Sequence, residues 1–88
     1  MSESRNYNVK ILKRARKALN ALPVQFQERV TEAISGLATD PRPPGCLRMS
    51  GVNSWRIRVG DYRVIYDIED AVLTVLVIDL GHRREIYR

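Results

Sequence analysis

From Tyr7 to Ile11 the chain alternates apolar and polar residues, the period-two pattern of a half-buried strand. At Leu12 the period changes. Leu12, Ala15, Leu19 and Leu22 recur at three- and four-residue steps, which predicts a short amphipathic helix, with Lys10, Lys13, Arg14 and Lys17 gathered on another face. Pro23 stops that helix and suits the first turn of a second one, whose apolar positions Val24, Val30, Ala33, Ile34 and Leu37 face one way, with Glu28 and Glu32 outward. The two form a helical hairpin. Asp40-Pro41-Arg42-Pro43-Pro44-Gly45 then contains three prolines without backbone donors, so a stiff extended connection is predicted.

Everything after that link reads as strand and turn. Residues 47–50 form a short strand, Gly51-Val52-Asn53 a turn, and 55–59 a second strand with Trp55, Ile57 and Val59 on one face and Arg56 and Arg58 on the other. Gly60-Asp61 lies between two alternating runs, the signal of a two-residue hairpin in which glycine supplies the positive φ. Counting outward pairs Val59 with Tyr62, Arg58 with Arg63, Ile57 with Val64, Arg56 with Ile65 and Trp55 with Tyr66. Glu69-Asp70 reads as the next turn, and 71–80, apolar on both faces, as a central strand covered on both sides, ended by Gly81. The expected fold is α+β: an N-terminal strand and a helical hairpin packed on one face of a small twisted antiparallel sheet, with a basic opposite face.

Eighty-eight residues make one domain, 1–88, and a 44% hydrophobic, 28% charged composition supplies a core and argues against low-complexity disorder. One cysteine, Cys46, and one histidine, His82, leave no disulfide framework and no recognisable zinc spacing, so neither a metal nor another cofactor is expected. The opening residues 1–5 are polar and expected to fray. No leader pattern or membrane-length apolar run is present, and a reducing cytoplasm is the expected compartment, with no membrane partner. Fifteen Lys and Arg against ten Asp and Glu give +5, with only three lysines among the bases. Arginine matches phosphate through a planar fork, so nucleic acid is the partner class this balance raises.

Like charges directly opposite on a sheet cost up to about 1 kcal/mol. A hairpin that sets Arg58 against Arg63, with Arg56 diagonal, is therefore expected to gain something from that face, and phosphate is the natural counter-ion. The plainer reading is a solvated basic surface, or pairing with Asp67, which shares the Arg63 face. The tail adds His82, Arg83, Arg84 and Tyr87, where either His82 or Tyr87 has the chemistry to move a proton. The plainer reading of His82 is an exposed turn residue, and of Tyr87 a packing aromatic that only its company makes a candidate. The stripe Lys10, Lys13, Arg14 and Lys17 reads as a wet helix face or as a rail for RNA backbone.

The run Leu47-Arg48-Met49-Ser50-Gly51, then Trp55-Arg56-Ile57-Arg58-Val59, Gly60-Asp61-Tyr62-Arg63-Val64-Ile65-Tyr66, and Gly81-His82-Arg83-Arg84-Glu85-Ile86-Tyr87 resembles the RelE family of toxin–antitoxin toxins. The helical hairpin and the Pro-Arg-Pro-Pro-Gly link are similar too, so the resemblance spans nearly the whole chain. It implies a RelE-like fold and a ribosome-dependent mRNA endonuclease. The ribose 2′-hydroxyl would attack the adjacent phosphate in the ribosomal A site without metal, leaving a 2′,3′-cyclic phosphate and a 5′-hydroxyl. By position, Arg56 and Arg58 match the family's paired basic residues, Arg63 the arginine after the aromatic, and Arg83 and Tyr87 the tail pair. Arg48 and Arg84 join the basic stripe as expected RNA contacts. An acidic, RelB-like antitoxin is the implied protein partner.

This sequence departs from the family in one respect that alters the chemistry: the first two site residues are more often lysines. Arginine does not give or take a proton near neutral pH, so Arg56 and Arg58 are expected to clamp phosphate, leaving proton transfer to Tyr87 or His82. Two alternatives stay open. ParE-type toxins resemble RelE in architecture but bind DNA gyrase and lack the catalytic set, and a plain RNA-binding module needs the basic face without Tyr87.

Overall fold

Period-two apolar residues on four strands and a period-3.6 stripe on two helices have one economical arrangement, in which the stripes close over one sheet face. The computed structural model, which describes residues 6–49 and 54–82, has that arrangement. In chain order the elements are β1 (Asn8–Ile11), α1 (Lys13–Asn20), α2 (Val24–Gly36), β2 (Leu47–Arg48), β3 (Ser54–Val59), β4 (Tyr62–Glu69), a 3-10 turn (Asp70–Val72) and β5 (Thr74–His82). The strands form one sheet in the order β1-β5-β4-β3-β2. Ala15 and Leu19 of α1, and Val30, Ile34 and Leu37 from α2 and its C-cap, are buried with Ile57, Val64, Tyr66, Ile68, Val75, Val77 and Leu80 of the sheet.

The α+β class and the helical hairpin stand as expected, and four details differ. The sheet is mixed, because β1 runs parallel to β5 while every other pair is antiparallel. Alternation encodes a strand's faces but not its direction, so the pattern at 7–11 fits either pairing. The last strand begins at Thr74, since Asp70–Val72 forms a 3-10 turn closed by Leu73 at φ 45°. It is the second strand of five, with helices on one face only among the described residues, and Leu76 and Ile78 are half-buried on it. Val24, expected on the apolar face of α2, is 70% exposed in its first turn. The expected turn at Gly51-Val52-Asn53 and the tail from Arg83 onward lie outside the described residues. No helix among the described residues is long and apolar enough to cross a membrane.

One irregularity decides where side chains point near the end of β5. Ile65 pairs with Asp79 but Tyr66 pairs with Val77, so Ile78 is an extra residue on β5, a β-bulge. Strict alternation from the buried Val75 and Val77 would send Asp79 into the core and Leu80 out of it. The bulge reverses this. Leu80 is buried opposite Val64, and Asp79 turns outward to meet Arg14 of α1 at 3.3 Å. Burying an unpaired carboxylate costs far more than disturbing one ladder step, which is the physical reason for the extra residue.

The proline link is tied down at both ends of its first half. The Tyr66 hydroxyl, fully buried, donates to the Pro41 carbonyl at 2.8 Å, and burial holds its phenol well above the ordinary range. Arg42 makes a two-pronged contact to Asp70 at 2.8 and 3.3 Å, and its guanidinium lies 5.1 Å from the centre of the Trp55 ring. Tyr7 donates to the same Asp70 at 2.6 Å, and this bond holds its phenol above its usual value.

Two stability predictions follow from this packing. Leu37→Ala, at a fully buried position, is expected to cost about 2–5 kcal/mol, whereas Val24→Ala is expected to stay within about 0.5 kcal/mol. Urea titration of both variants checks this, and equal losses contradict the assigned helix face. Tyr66→Phe leaves the buried Pro41 carbonyl without its donor and is expected to destabilise by about 1–3 kcal/mol. That corresponds to roughly 4–8 °C in Tm per kcal/mol. An unchanged Tm would mean that the hydroxyl does not anchor the link.

Candidate functional site

The β3–β4 hairpin carries the expected arginines in the counted register. Gly60 turns the chain at φ 62° while Asp61 keeps a negative φ, the pattern of a type II′ turn, whose twist matches that of the flanking strands. The observed pairs are Val59 with Tyr62, Arg58 with Arg63, Ile57 with Val64, Arg56 with Ile65 and Trp55 with Tyr66. Because Ile57 and Val64 are buried under the helices, Arg56, Arg58 and Arg63 alternate onto the opposite face. Opposed Cβ atoms in such a pair stand about 4.5–5.5 Å apart and diagonal neighbours about 7–8 Å, so the three guanidinium groups share reach of one point.

Two rows cross this open face. One runs Leu47, Arg56, Ile65, Asp79 across β2 to β5; the next runs Arg58, Arg63, Gly81. Gly81 places no side chain beside Arg63. A cavity of about 130 Å³ lies against these rows, lined by Gly45, Leu47, Arg56, Ile57, Arg58 and Arg63. Its scale suits a phosphate group rather than a whole nucleotide. Asp67 stands four residues from Arg63, about 13 Å along the strand, and accepts a hydrogen bond from Ser54.

Gly45 reaches the cavity rim from the proline link at φ 91°, a conformation that favours glycine. The anchors described above, Tyr66 to Pro41 and Arg42 to Asp70, hold that link against the sheet. Leu47, 54% exposed and opposite Arg56, is a rim residue that sequence reasoning did not single out. The available signal was its position one step from the edge of the arginine register.

The remaining expected site residues separate from this cluster. His82 pairs with Tyr62, on the helix side of the sheet, where its ring meets Tyr62 edge-on at 5.8 Å and Tyr62 meets Phe26 at 5.1 Å. It lines a groove with Ala18, Leu22, Pro23 and Leu80, on the face away from Arg58 and Arg63. The expectation that His82 sits among the arginines is therefore corrected, and the bulge is the cause: without it, alternation would carry position 82 to the arginine face.

Lys10 is on β1 rather than on a helix face with Lys13, Arg14 and Lys17, and its partner Leu76 puts it on the same face as the arginines. Lys13, Arg14 and Lys17 are exposed on α1, with Arg14 turned to Asp79. Arg48 pairs with Trp55, so it alternates away from Arg56. Arg83, Arg84 and Tyr87 lie outside the described residues.

Comparison with known proteins places these features in a family. Residues 9–87 match the family model described as the ParE toxin of the type II toxin–antitoxin system parDE. The chain is similar to toxin RelG of Mycobacterium tuberculosis, 34% identical over 84 residues that cover 93% of this chain and 97% of RelG. Among solved structures it is similar to the archaeal RelE–RelB complex of Pyrococcus horikoshii, with TM-score 0.80 and 32% identity over 89% of this chain and 96% of the other. It is also similar to the RelBE2 toxin–antitoxin complex of Mycobacterium tuberculosis, with TM-score 0.75 and 31% identity over 89% and 99%. The family match over residues 9–87, the identity to RelG and the shared fold identify the chain as a RelE-like member of the ParE toxin family, a toxin of a type II toxin–antitoxin system.

Proposed function

We propose that the protein is an endoribonuclease that cuts mRNA in the ribosomal A site, held in check by an acidic antitoxin. The observation that carries this reading is the direct opposition of Arg58 and Arg63, with Arg56 diagonal, at one phosphate-sized cavity. Like charges set opposite each other favour an anion at that point. In the reaction, the 2′-oxygen bonds to the adjacent phosphorus as the bond to the 5′-oxygen breaks. The 2′-hydroxyl loses its proton and the departing 5′-oxygen gains one, leaving a 2′,3′-cyclic phosphate and a 5′-hydroxyl.

Arg56 and Arg58 hold the phosphate, and Arg63 offsets the charge that builds on the phosphorane oxygens. Arginine stays charged throughout, so the 2′ proton goes elsewhere. With His82 on the far face, Tyr87 is the side chain assigned to accept it, by its match to the family's tail motif, and Arg83 is assigned to the leaving oxygen on the same ground. Orientation supplies much of the rate, up to about 7–11 kcal/mol, and a ribosome that holds mRNA in register provides it.

The partner follows from charge and kinship. The chain carries +5, and its solved relatives from Pyrococcus horikoshii and Mycobacterium tuberculosis are toxin–antitoxin complexes. An acidic segment that orders on binding covers a large basic surface with a short chain.

Single-turnover cleavage on programmed ribosomes tests the chemistry. Arg63→Ala is expected to slow cutting by about 10²–10³-fold. Tyr87→Phe is expected to slow it by about 10²–10⁴-fold, while His82→Gln cuts at near the wild-type rate. Loss of cutting in His82→Gln but not in Tyr87→Phe reverses the proton assignment. If all three cut normally the arginine face is not catalytic, and gyrase complexes accumulating instead of cut mRNA would support the ParE-type activity.

A second prediction concerns dependence on other components. A chelator is expected to leave the rate unchanged under conditions that keep ribosomes intact, and free RNA is expected to be cut very slowly. Co-expressed acidic antitoxin is expected to abolish cutting and co-purify with the toxin. Fast cutting of free RNA, or a toxin that stays unbound beside its antitoxin, contradicts these expectations.

A further inference from the structure

The arginine cavity does not end at the arginines. A second, larger cavity of about 430 Å³ lies between the C-terminal turn of α2 and the proline link, lined by Ala33, Gly36, Pro43, Pro44, Gly45, Ile57 and Arg58. The two share Gly45, Ile57 and Arg58, so they adjoin across β3. Among the described residues, strand β2 pairs with β3 at Trp55 and Arg56, and Met49 donates to the Ser54 carbonyl, so the ladder stops short of Ile57 and Arg58, which both cavities share.

The volume falls within the roughly 300–1,000 Å³ of small-molecule sites. Its lining is apolar apart from Arg58. Pro43 and Pro44 offer flat, rigid, donor-free surfaces, and the anchoring of the link through Pro41 and Arg42 holds them in place before any ligand arrives. A Cβ built on Gly36 or Gly45 meets no atom within 4 Å, so both glycines face open space.

We propose that this second cavity seats the nucleobase of the nucleotide next to the phosphate held by Arg56, Arg58 and Arg63. The inference rests on the endoribonuclease reading for its substrate, and charge complementarity selects the occupant. A phosphate fixed in the small cavity puts the attached nucleoside at the shared rim, where an apolar wall accepts a flat ring. Apart from the Arg58 guanidinium, no lining side chain carries a hydrogen-bonding group to read that ring, so the site grips a base without choosing among the four.

Gly36 provides the test because space and stability there move in opposite directions. It is the last residue of α2, with no neighbour within 4 Å of a Cβ. Alanine at this position favours the helix over glycine. Gly36→Ala and Gly36→Leu are therefore expected to keep or raise Tm, while Gly36→Leu fills the cavity. On ribosomes, Gly36→Leu is expected to lower cutting at limiting toxin by about tenfold, the scale of losing one stacked base. Gly36→Ala is expected to stay near wild type.

An mRNA with an abasic nucleotide beside the cut is expected to lose the same factor with the wild-type protein and nothing further with Gly36→Leu, the non-additivity of two changes at one contact. If Gly36→Leu cuts both transcripts as wild type does, or if the two losses multiply, the proposal is overturned. Binding separates this outcome from failure of the underlying reading. With a short oligonucleotide carrying 2′-deoxyribose at the cut position, fluorescence anisotropy is expected to show the same Gly36→Leu and abasic losses, without any cleavage. A wild-type protein that binds this oligonucleotide with those losses but never cuts RNA retains the base site and loses the enzyme reading. Equal binding of intact and abasic oligonucleotides removes the base site.

Discussion

The two-residue turn at Gly60-Asp61 fixes the side of the sheet on which every residue of β3 and β4 stands. In a strand the side-chain period is two, so a slip of one residue would bury Arg58 and Arg63 and expose Ile57 and Val64. The hydrophobic free energy of that buried pair, some 1.5–3 kcal/mol for each side chain, outweighs the like-charge opposition of up to about 1 kcal/mol that comes with it. The fold can therefore hold two arginines face to face on the open side of the sheet. Charge concentration on the open face is a consequence of core packing.

Two further devices shape what surrounds that hairpin. The extra residue at Ile78 rescues Leu80 for the core and sends Asp79 out to Arg14, and by the same half-turn it carries His82 to the helix side, against Tyr62. The proline link is the other. Its three prolines remove backbone donors and stiffen it, while Tyr66 and Asp70 grip Pro41 and Arg42, so that Pro43 to Gly45 form a fixed wall beside the arginines.

Much of this was legible in the residues themselves. The hairpin register could be counted from Gly60-Asp61 because a two-residue turn leaves no freedom in pairing, and every counted pair is observed. The helical hairpin followed from its period, and RelE kinship from the order and spacing of the arginine and aromatic motifs. What escaped depends on tertiary context. A bulge is selected by the burial of one leucine against the exposure of one aspartate, a balance that alternation alone does not contain, and it sets His82, expected in a tail beyond the strand, on β5 against Tyr62. The direction of β1 and the 3-10 turn at Asp70–Val72, whose aspartate is shared by Tyr7 and Arg42, are likewise settled by long-range contacts. The second cavity could not be read at all, because it forms where α2, the link and β3 meet.

If the arginine face is a site for a reacting phosphate, the chemistry of the cut ends reports it most directly. Translating ribosomes incubated with the wild-type protein should yield mRNA fragments whose new 5′ ends fall in register with the A-site codon. These ends should carry a free hydroxyl, and the upstream fragments should end in a 2′,3′-cyclic phosphate. Fragments ending in a 3′-hydroxyl with a 5′-phosphate, or cuts without register to the reading frame, would contradict attack by the neighbouring 2′-hydroxyl at a ribosome-held phosphate.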